Sequence, residues 1–139
     1  DSAFPAVTLV WRYDPATYQW REVPALSRAI AAIAPFWGNF QTFVSGDKTF
    51  VMGFPTSDQS GMLSVHRRTG DIQRLGLPPL TNLASNMVVA GLGNKAYLVN
   101  QTQLWEYTPA SDTWRLVQNA LRLPNDFVET MFEVDGALY

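Results

Sequence analysis

Two series of short motifs recur along this chain, and this repetition limits its fold more than any other feature of the sequence. In the first series, one large apolar residue is followed nine positions later by another, in segments 11–20, 63–72 and 105–114. In the second series, a glycine-containing turn leads to an aromatic residue at positions 50, 97 and 139. Successive copies are 52 and 42 residues apart in the first series, and 47 and 42 apart in the second. Such periods indicate a repeat architecture in which each unit is one supersecondary motif.

Each repeat unit is predicted to form four short strands joined by tight turns. Asp47-Lys48 and Asn94-Lys95 both follow a glycine, which suits a hairpin turn with positive φ. The predicted strands of the two whole units are 40–44, 49–52, 62–65 and 72–75, then 86–90, 96–99, 103–107 and 113–117. The sequence therefore predicts an all-β chain.

The motif Trp11-Arg-Tyr-Asp-Pro-Ala-Thr-Tyr-Gln-Trp20 resembles the kelch family. Its counterpart Trp105-Glu-Tyr-Thr-Pro-Ala-Ser-Asp-Thr-Trp114 and the turns at 46–50 and 93–97 carry the same resemblance. A kelch unit of about 50 residues forms one four-stranded blade of a β-propeller. Kelch second strands usually end in a Gly-Gly doublet, of which only Gly53 is present here. The resemblance implies kelch-like propeller blades of four antiparallel strands.

The chain, residues 1–139, is predicted to be a single propeller segment with about three blades' worth of strands. Residues 8–23 correspond to half a blade, 40–75 and 86–117 to one blade each, and 127–139 to another half. Propellers close with about four to eight blades, so the propeller is incomplete within one chain. Three arrangements remain open: a fragment of a larger propeller, half of a dimeric six-bladed ring, and an open stack of blades.

The amino-acid composition excludes several kinds of binding and metal site. Ten Lys and Arg against 12 Asp and Glu give a formal net charge of −2, which argues against electrostatic binding of nucleic acid. The chain has no cysteine and one histidine, which excludes disulfides, thiolate sites and a multi-histidine metal site within one chain. We expect no cofactor and no metal.

Targeting signals are equally sparse. The longest uncharged stretch, 29–46, contains proline, glycine and several polar residues, and this composition predicts no membrane segment. No basic and then apolar signal peptide opens the sequence. The compartment is not assigned, although a secreted or periplasmic location is slightly favoured over the cytoplasm.

The ionisable residues form no recognisable catalytic set, and we expect no catalytic residue. His66 could be a general base or a metal ligand, but a solvated turn is the favoured interpretation. Glu129 and Glu133 are four residues apart and would share one face of a strand. Such a pair is compatible with a glycosidase, although a solvated face or a channel lining is favoured.

The tryptophans are predicted to pack rather than to bind ligands. Trp20 and Trp114 close the repeated motif, so we expect both to be buried at equivalent positions between blades, and we expect the same of Ile72. Trp37 lies outside the repeat and could be a surface anchor, although packing is the favoured interpretation.

One face of the predicted propeller has longer and less repetitive loops, at 24–39, 54–60, 76–85 and 118–126. Recognition usually lies on variable loops over a rigid scaffold. Residues 27–34 are predicted to form a short helix with Ser27 as its N-cap, Pro35 at its end, and Ile30 and Ile33 facing inward. The candidate ligand-binding residues on this face are Arg28, Trp37, Asn39, Asp58, Gln59, Asn82, Asn100 and Arg122.

The kelch resemblance implies a noncatalytic binding or interaction module that recognises a protein or a glycan through its long-loop face. One alternative is part of a propeller enzyme acting on carbohydrates, of oxidase, epimerase or hydrolase type. A second alternative is a structural subunit of a larger assembly. We expect self-association, or a missing chain that completes the propeller by pairing 127–139 with 8–23. Nucleic acid and membranes are not expected partners.

Overall fold

The computed structural model describes residues 9–33, 39–54, 61–79, 87–100, 102–121 and 129–139. In these ranges the chain is all-β apart from one short helix, as predicted, and none of its four antiparallel sheets closes into a barrel. The elements are β1 (Trp11–Asp14), β2 (Gln19–Glu22), α1 (Pro24–Ala31), β3 (Asn39–Ser45), β4 (Lys48–Phe54), β5 (Gly61–His66), β6 (Ile72–Leu75), β7 (Met87–Leu92), β8 (Lys95–Asn100), β9 (Gln103–Thr108), β10 (Thr113–Gln118), β11 (Glu133–Val134) and β12 (Ala137–Leu138).

Two of the sheets have four strands in simple meander order. The first full sheet is β3-β4-β5-β6, and the second full sheet is β7-β8-β9-β10. β1 and β2 form a separate two-stranded sheet, the N-terminal hairpin, and β11 and β12 form another, the C-terminal hairpin. In the described ranges, two whole four-stranded units are therefore flanked by two half-sized ones.

Two-residue turns connect the first two strands of the units. Gly46 and Gly93 have φ of 60° and 62°, and each is the first central residue of its turn. In the C-terminal hairpin, Asp135 and Gly136 both have positive φ, at 50° and 77°. Positive φ at these positions matches the right-handed twist of the strands, which is why glycine recurs there.

The helix begins one turn earlier than the sequence predicts, so the prediction of Ser27 as N-cap is wrong. Val23 is the N-cap and Pro24 occupies the first turn, where a missing N–H costs nothing. Ser27 lies inside the helix and is buried. Its Oγ donates to the Val23 carbonyl oxygen at 3.2 Å and accepts from the Val10 N–H at 3.0 Å. The hydroxyl therefore ties α1 to the N-terminal hairpin.

The first full sheet is covered on both faces. On one face, Val51 and Leu63 pack with Ile30 and Ile33, which are buried as predicted. On the other face, Phe43 and Phe50 stack with ring centroids 4.6 Å apart and meet side chains of the second full sheet. α1 and the second full sheet thus lie on opposite sides of the first full sheet.

The two full sheets meet most closely along their first strands, β3 and β7. A Cβ on Gly91 would collide with the Val44 carbonyl oxygen, so glycine is required for this approach of the two backbones. The ring of Tyr107 meets Phe43 and Phe50 edge-on, at centroid distances of 6.2 and 5.9 Å. Beyond the second full sheet, β11 and β12 lie against β7.

Candidate interaction surface

The structure places three of the eight predicted ligand-binding residues. Arg28 is exposed on α1, and Asn39 begins β3. Asn100 ends β8, where it is only 8% exposed and lies opposite Gln103 of β9. The other five lie outside the described residues: Trp37, Asp58, Gln59, Asn82 and Arg122.

A junction between the two full sheets shows how one unit docks on the preceding one. The Trp114 ring lies on the Tyr107 ring, with centroids 4.7 Å apart, and its Nε1–H donates to the Gly76 carbonyl oxygen at 3.1 Å. Asp112 accepts from the Tyr107 hydroxyl at 2.9 Å and from the Gly76 N–H at 3.2 Å. Burial raises the pKa of Tyr107, and the bond to Asp112 adds to that rise. These contacts join the outer strand of the second full sheet to the segment after β6.

The N-terminal hairpin carries the same arrangement of aromatic residues. Tyr13 and Trp20 are directly opposite each other in β1 and β2, as Tyr107 and Trp114 are in β9 and β10. The Tyr13 and Trp20 rings are in contact, with centroids 5.0 Å apart. The turns of the two hairpins also match. The residue before the second strand has positive φ in both, at 54° for Tyr18 and 49° for Asp112. The hairpin is therefore a second copy of the outer half of a full sheet.

Burial separates the two copies. Tyr107 is fully buried, whereas Tyr13 is 41% exposed and Trp20 is 63% exposed. The prediction that Trp20 is buried is therefore wrong, and Trp114 and Ile72 are only partly buried. The reason is that Trp114 packs on the preceding sheet, whereas none of the sheets in the described part of the chain plays this role for Trp20. We define the aromatic docking face as Trp11, Tyr13, Tyr18 and Trp20.

Among the described residues, no strand pairs with the edge of β1 that faces away from β2, and we call it the open edge of β1. Val23 N–H donates to the Val10 carbonyl oxygen at 2.8 Å, so the Val10 and Val23 pair beside Trp11 and Glu22 has the hydrogen-bonding position of the ladder, although the Val10 N–H itself donates to Ser27 Oγ. Because bonded and non-bonded pairs alternate along an antiparallel ladder, Trp11 and Tyr13 direct their backbone N–H and C=O groups to the opposite, open edge. This edge corresponds to the edge of β9 that pairs with β8.

The complementary open edge is on β12 of the C-terminal hairpin, where β11 is the one partner among the strands that the structure describes. Phe132 and Tyr139 exchange two backbone hydrogen bonds of 3.0 Å. Leu138, which is opposite Glu133, therefore directs its backbone groups away from β11. Phe132, Val134 and Tyr139 are exposed. Within the described ranges, the N-terminal hairpin is therefore not paired with inner strands, and the C-terminal hairpin is not paired with outer strands.

The buried acid of the second full sheet is held by three neighbours. Glu106 accepts from Lys95 at 3.0 Å, from Arg115 at 3.0 Å and from the Tyr97 hydroxyl at 3.0 Å. The hydrogen bonds from Lys95, then Arg115 and Tyr97, lower the pKa of Glu106 to about 2, against the burial that opposes them. Burial and the bond to Glu106 raise the pKa of Tyr97. This carboxylate pins three strands together.

His66 is also fully engaged. Its Nε2 lies 2.8 Å from an Asp47 carboxylate oxygen, and its Nδ1 accepts from the backbone N–H groups of Arg68 and Thr69 at 3.3 and 3.2 Å. The predicted solvated turn omitted this Asp47 partner. The register of β4 and β5 could have revealed it, because Lys48 lies opposite His66 and brings the preceding turn beside the imidazole.

Glu133, one of the candidate acids, also has a structural role. Glu133 accepts from the Gly136 N–H at 2.7 Å and so stabilises the turn of the C-terminal hairpin. Within the described ranges, no group of three or more histidine, aspartate or glutamate side chains could hold a metal ion. In the same part of the chain, no helix is both long and apolar enough to span a membrane.

Comparisons with known proteins leave these features to be judged on their own geometry. No protein-family model matches the chain, and no curated protein matches it significantly.

Proposed function

We propose that this chain is a noncatalytic interaction module of kelch-like propeller type. Its aromatic docking face and the open edge of β1 would receive a β-hairpin that supplies the inner half of a four-stranded sheet. The observation that carries this proposal is the exposure of Tyr13 on β1, because its counterpart Tyr107 on β9 is fully buried and lies opposite Ala96 of the inner strand β8.

The second full sheet indicates what such a partner must provide. There, the counterpart of β1 is covered in two ways: its backbone pairs with β8, and Tyr107 packs on Phe43 and Phe50 of the preceding sheet. The N-terminal hairpin presents the same backbone groups and a similar aromatic pair to solvent. Strand addition to such an edge combines backbone hydrogen bonds with side-chain burial.

Two ionisable groups that could take part in catalysis have structural roles instead. The Glu106 carboxylate and the His66 imidazole, two groups that could transfer protons, are both occupied by hydrogen bonds that hold the sheets. A propeller enzyme acting on carbohydrates would need a proton-transfer group that is free to meet substrate.

A protein or a glycan at the long-loop face is a second candidate. Six residues separate β4 from β5 whereas two separate β8 from β9, so this loop differs between otherwise matched sheets. Variable loops on a repeated scaffold are typical of recognition. Arg28, one of the predicted ligand-binding residues, is exposed on α1. Binding in an oligosaccharide array that Arg28→Ala abolishes would support this candidate, and an array without any binding would reject the glycan version.

The main proposal is tested by adding a synthetic hairpin peptide that can pair with the edge of β1. The C-terminal hairpin of the protein itself is blocked by a substitution, so that it does not compete with the peptide. In the full chain, Leu138→Pro removes the N–H that faces the open edge of β12, so a copy cannot supply that strand. A fluorescently labelled synthetic peptide of residues 129–139 is then titrated into this variant, and anisotropy reports binding. We expect saturable binding that Tyr13→Ala weakens about tenfold, or about 1.4 kcal/mol, because Tyr13 lies on the strand that would receive the peptide.

The matched control is Arg21→Ala, which changes a residue of β2 but leaves the aromatic docking face intact. A second control is the same peptide with Leu138→Pro. Equal affinities for both peptides, or no saturation with either, would overturn the proposal. Circular dichroism of each variant verifies that the sheets remain folded.

A further inference from the structure

We infer that the partner of the N-terminal hairpin is the C-terminal hairpin of a second copy of this chain. β12 of one copy pairs antiparallel with β1 of the other, with Leu138 opposite Tyr13 and Tyr139 opposite Arg12. This inference rests on the proposed function and names its partner and register.

The register follows from the two full sheets, which share one alignment of their second and third strands. Ala96 lies opposite Tyr107 in the second full sheet. Thr49 lies opposite Val65 in the first, at the same distance from the turn. In the C-terminal hairpin, Leu138 has the position of Ala96, because each is the second residue after a two-residue turn.

Tyr13 has the position of Tyr107, since each lies opposite the tryptophan that closes the repeated motif. The repeat therefore aligns Leu138 with Tyr13. The next pair, Tyr139 and Arg12, corresponds to Tyr97 and Glu106.

The backbone supplies an independent argument for the same register. The hydrogen bonds within the two hairpins leave the N–H and C=O groups of Tyr13 and of Leu138 directed at their open edges. Placing these two residues opposite each other joins the free groups of one to the free groups of the other. A slip by one residue would instead face them with groups already bonded inside a hairpin, and it would reverse the side-chain faces.

The side chains also agree with this register. We call the four-stranded sheet formed by β11 and β12 of one copy and β1 and β2 of the other the composite sheet. Arg12 and Arg21 are directly opposite each other and exposed, at the positions where the second full sheet has Glu106 and Arg115. Two like charges in such a pair are unfavourable by themselves. The proposed register puts the ring of Tyr139 beside Arg12, where a guanidinium can lie on an aromatic face.

The arrangement within one chain favours a second copy over closure of the chain on itself. α1, which is tied to the N-terminal hairpin through Ser27, covers the face of the first full sheet that is turned away from the second. The C-terminal hairpin lies against β7 of the second full sheet. Two copies related by a two-fold axis would pair both hairpins twice, giving four full sheets and two composite ones.

The experiment uses single cysteines, because the chain has none of its own. Arg12→Cys and Tyr139→Cys change exposed residues, so both variants keep the cores of the full sheets. The two full-length variants are mixed, oxidised and analysed by non-reducing electrophoresis and intact mass. Directly opposed residues have Cα atoms about 4.5–5.5 Å apart, which a disulfide can span.

We expect a cross-linked dimer from this mixture, in at least about tenfold higher yield than from Arg12→Cys with Ala137→Cys, which is two residues out of register. Thr108→Cys with Thr113→Cys, opposite each other in β9 and β10, is the intramolecular positive control for oxidation. A chain carrying both Arg12→Cys and Tyr139→Cys should stop at a dimer.

The outcomes separate the inference from the proposed function. Preferential cross-linking through Ala137→Cys overturns the register, and a ladder of larger species overturns the two-copy closure. Absence of cross-linking, with the peptide still binding the Leu138→Pro chain, overturns the second copy as partner and leaves the interaction module standing. Absence of both overturns the two together.

Discussion

The Trp114 indole N–H donates to the Gly76 carbonyl oxygen across 3.1 Å, and this bond joins the outer strand of the second full sheet to the end of the first. Trp114 also lies on the ring of Tyr107, which is fully buried. Trp20 has the same position in the N-terminal hairpin, where its ring contacts that of Tyr13 and is 63% exposed. Two equivalent tryptophans therefore differ in whether a neighbouring sheet is present.

This difference predicts unequal effects of the same substitution on folding. Trp114→Ala should lower the free energy of unfolding by about 2–3 kcal/mol, since it removes a partly buried ring and a hydrogen bond. Trp20→Ala should change it by less than about 0.5 kcal/mol in dilute solution. Urea denaturation at low protein concentration measures both. Equal losses from the two variants would show that Trp20 is already packed in the single chain.

The repeat pattern predicted the strands, turns and all-β class because it depends on local periodicity. It could not predict the burial of Trp20, because burial depends on which sheet lies beside the strand. Alignment of the repeated motifs identifies residues that have equivalent positions in their sheets. It does not say which of those positions has a neighbour.

Glu106 predicts a specific dependence of stability on pH. Its pKa of about 2 in the folded state is below the ordinary value of 4.5, because Lys95, Arg115 and Tyr97 bond to the charged form. The carboxylate therefore stabilises the fold fully above its unfolded pKa, and this contribution is lost as pH falls from about 4.5 through about 2. Glu106→Gln should be less stable at neutral pH and should lose less on acidification.

Urea denaturation of both proteins at pH 7, 4 and 2.5 or so measures this difference in slope. Glu22→Gln, at an exposed position of β2, is the matched control and should follow the parent protein. Parallel pH profiles for Glu106→Gln and the parent would contradict the role of Glu106.

The close approach of β3 to β7 leaves no room for a side chain at position 91. Gly91→Ala should destabilise the fold by about 1–3 kcal/mol, because the new Cβ would collide with the Val44 carbonyl oxygen and backbone must move. Gly76→Ala is the control, since its Cβ would meet only Asp112 oxygens at 3.9 and 4.0 Å. Thermal unfolding of the two variants distinguishes them, and a Gly91→Ala protein as stable as Gly76→Ala would argue against close packing of β3 on β7.

The candidate site could be predicted only in part, for a related reason. The sequence predicts Arg28 and Asn100 as polar residues on one face, yet Arg28 is exposed on a helix and Asn100 is buried at a strand end. Residue type alone does not separate these environments. The aromatic docking face was visible as a motif, but its exposure follows from long-range packing that the motif does not encode.

Ser27 predicts the strength of the link between α1 and the N-terminal hairpin. Ser27→Ala leaves the Val10 N–H without its 3.0 Å acceptor and removes the bond to the Val23 carbonyl oxygen. Because the hydroxyl is buried, we expect a loss of about 1–3 kcal/mol in unfolding free energy. Hydrogen exchange should also accelerate at the Val10 amide, whereas Ser111→Ala, at an exposed turn, should alter neither quantity. If the Val10 amide exchanges at an unchanged rate in Ser27→Ala, the hairpin is held to the helix by other contacts.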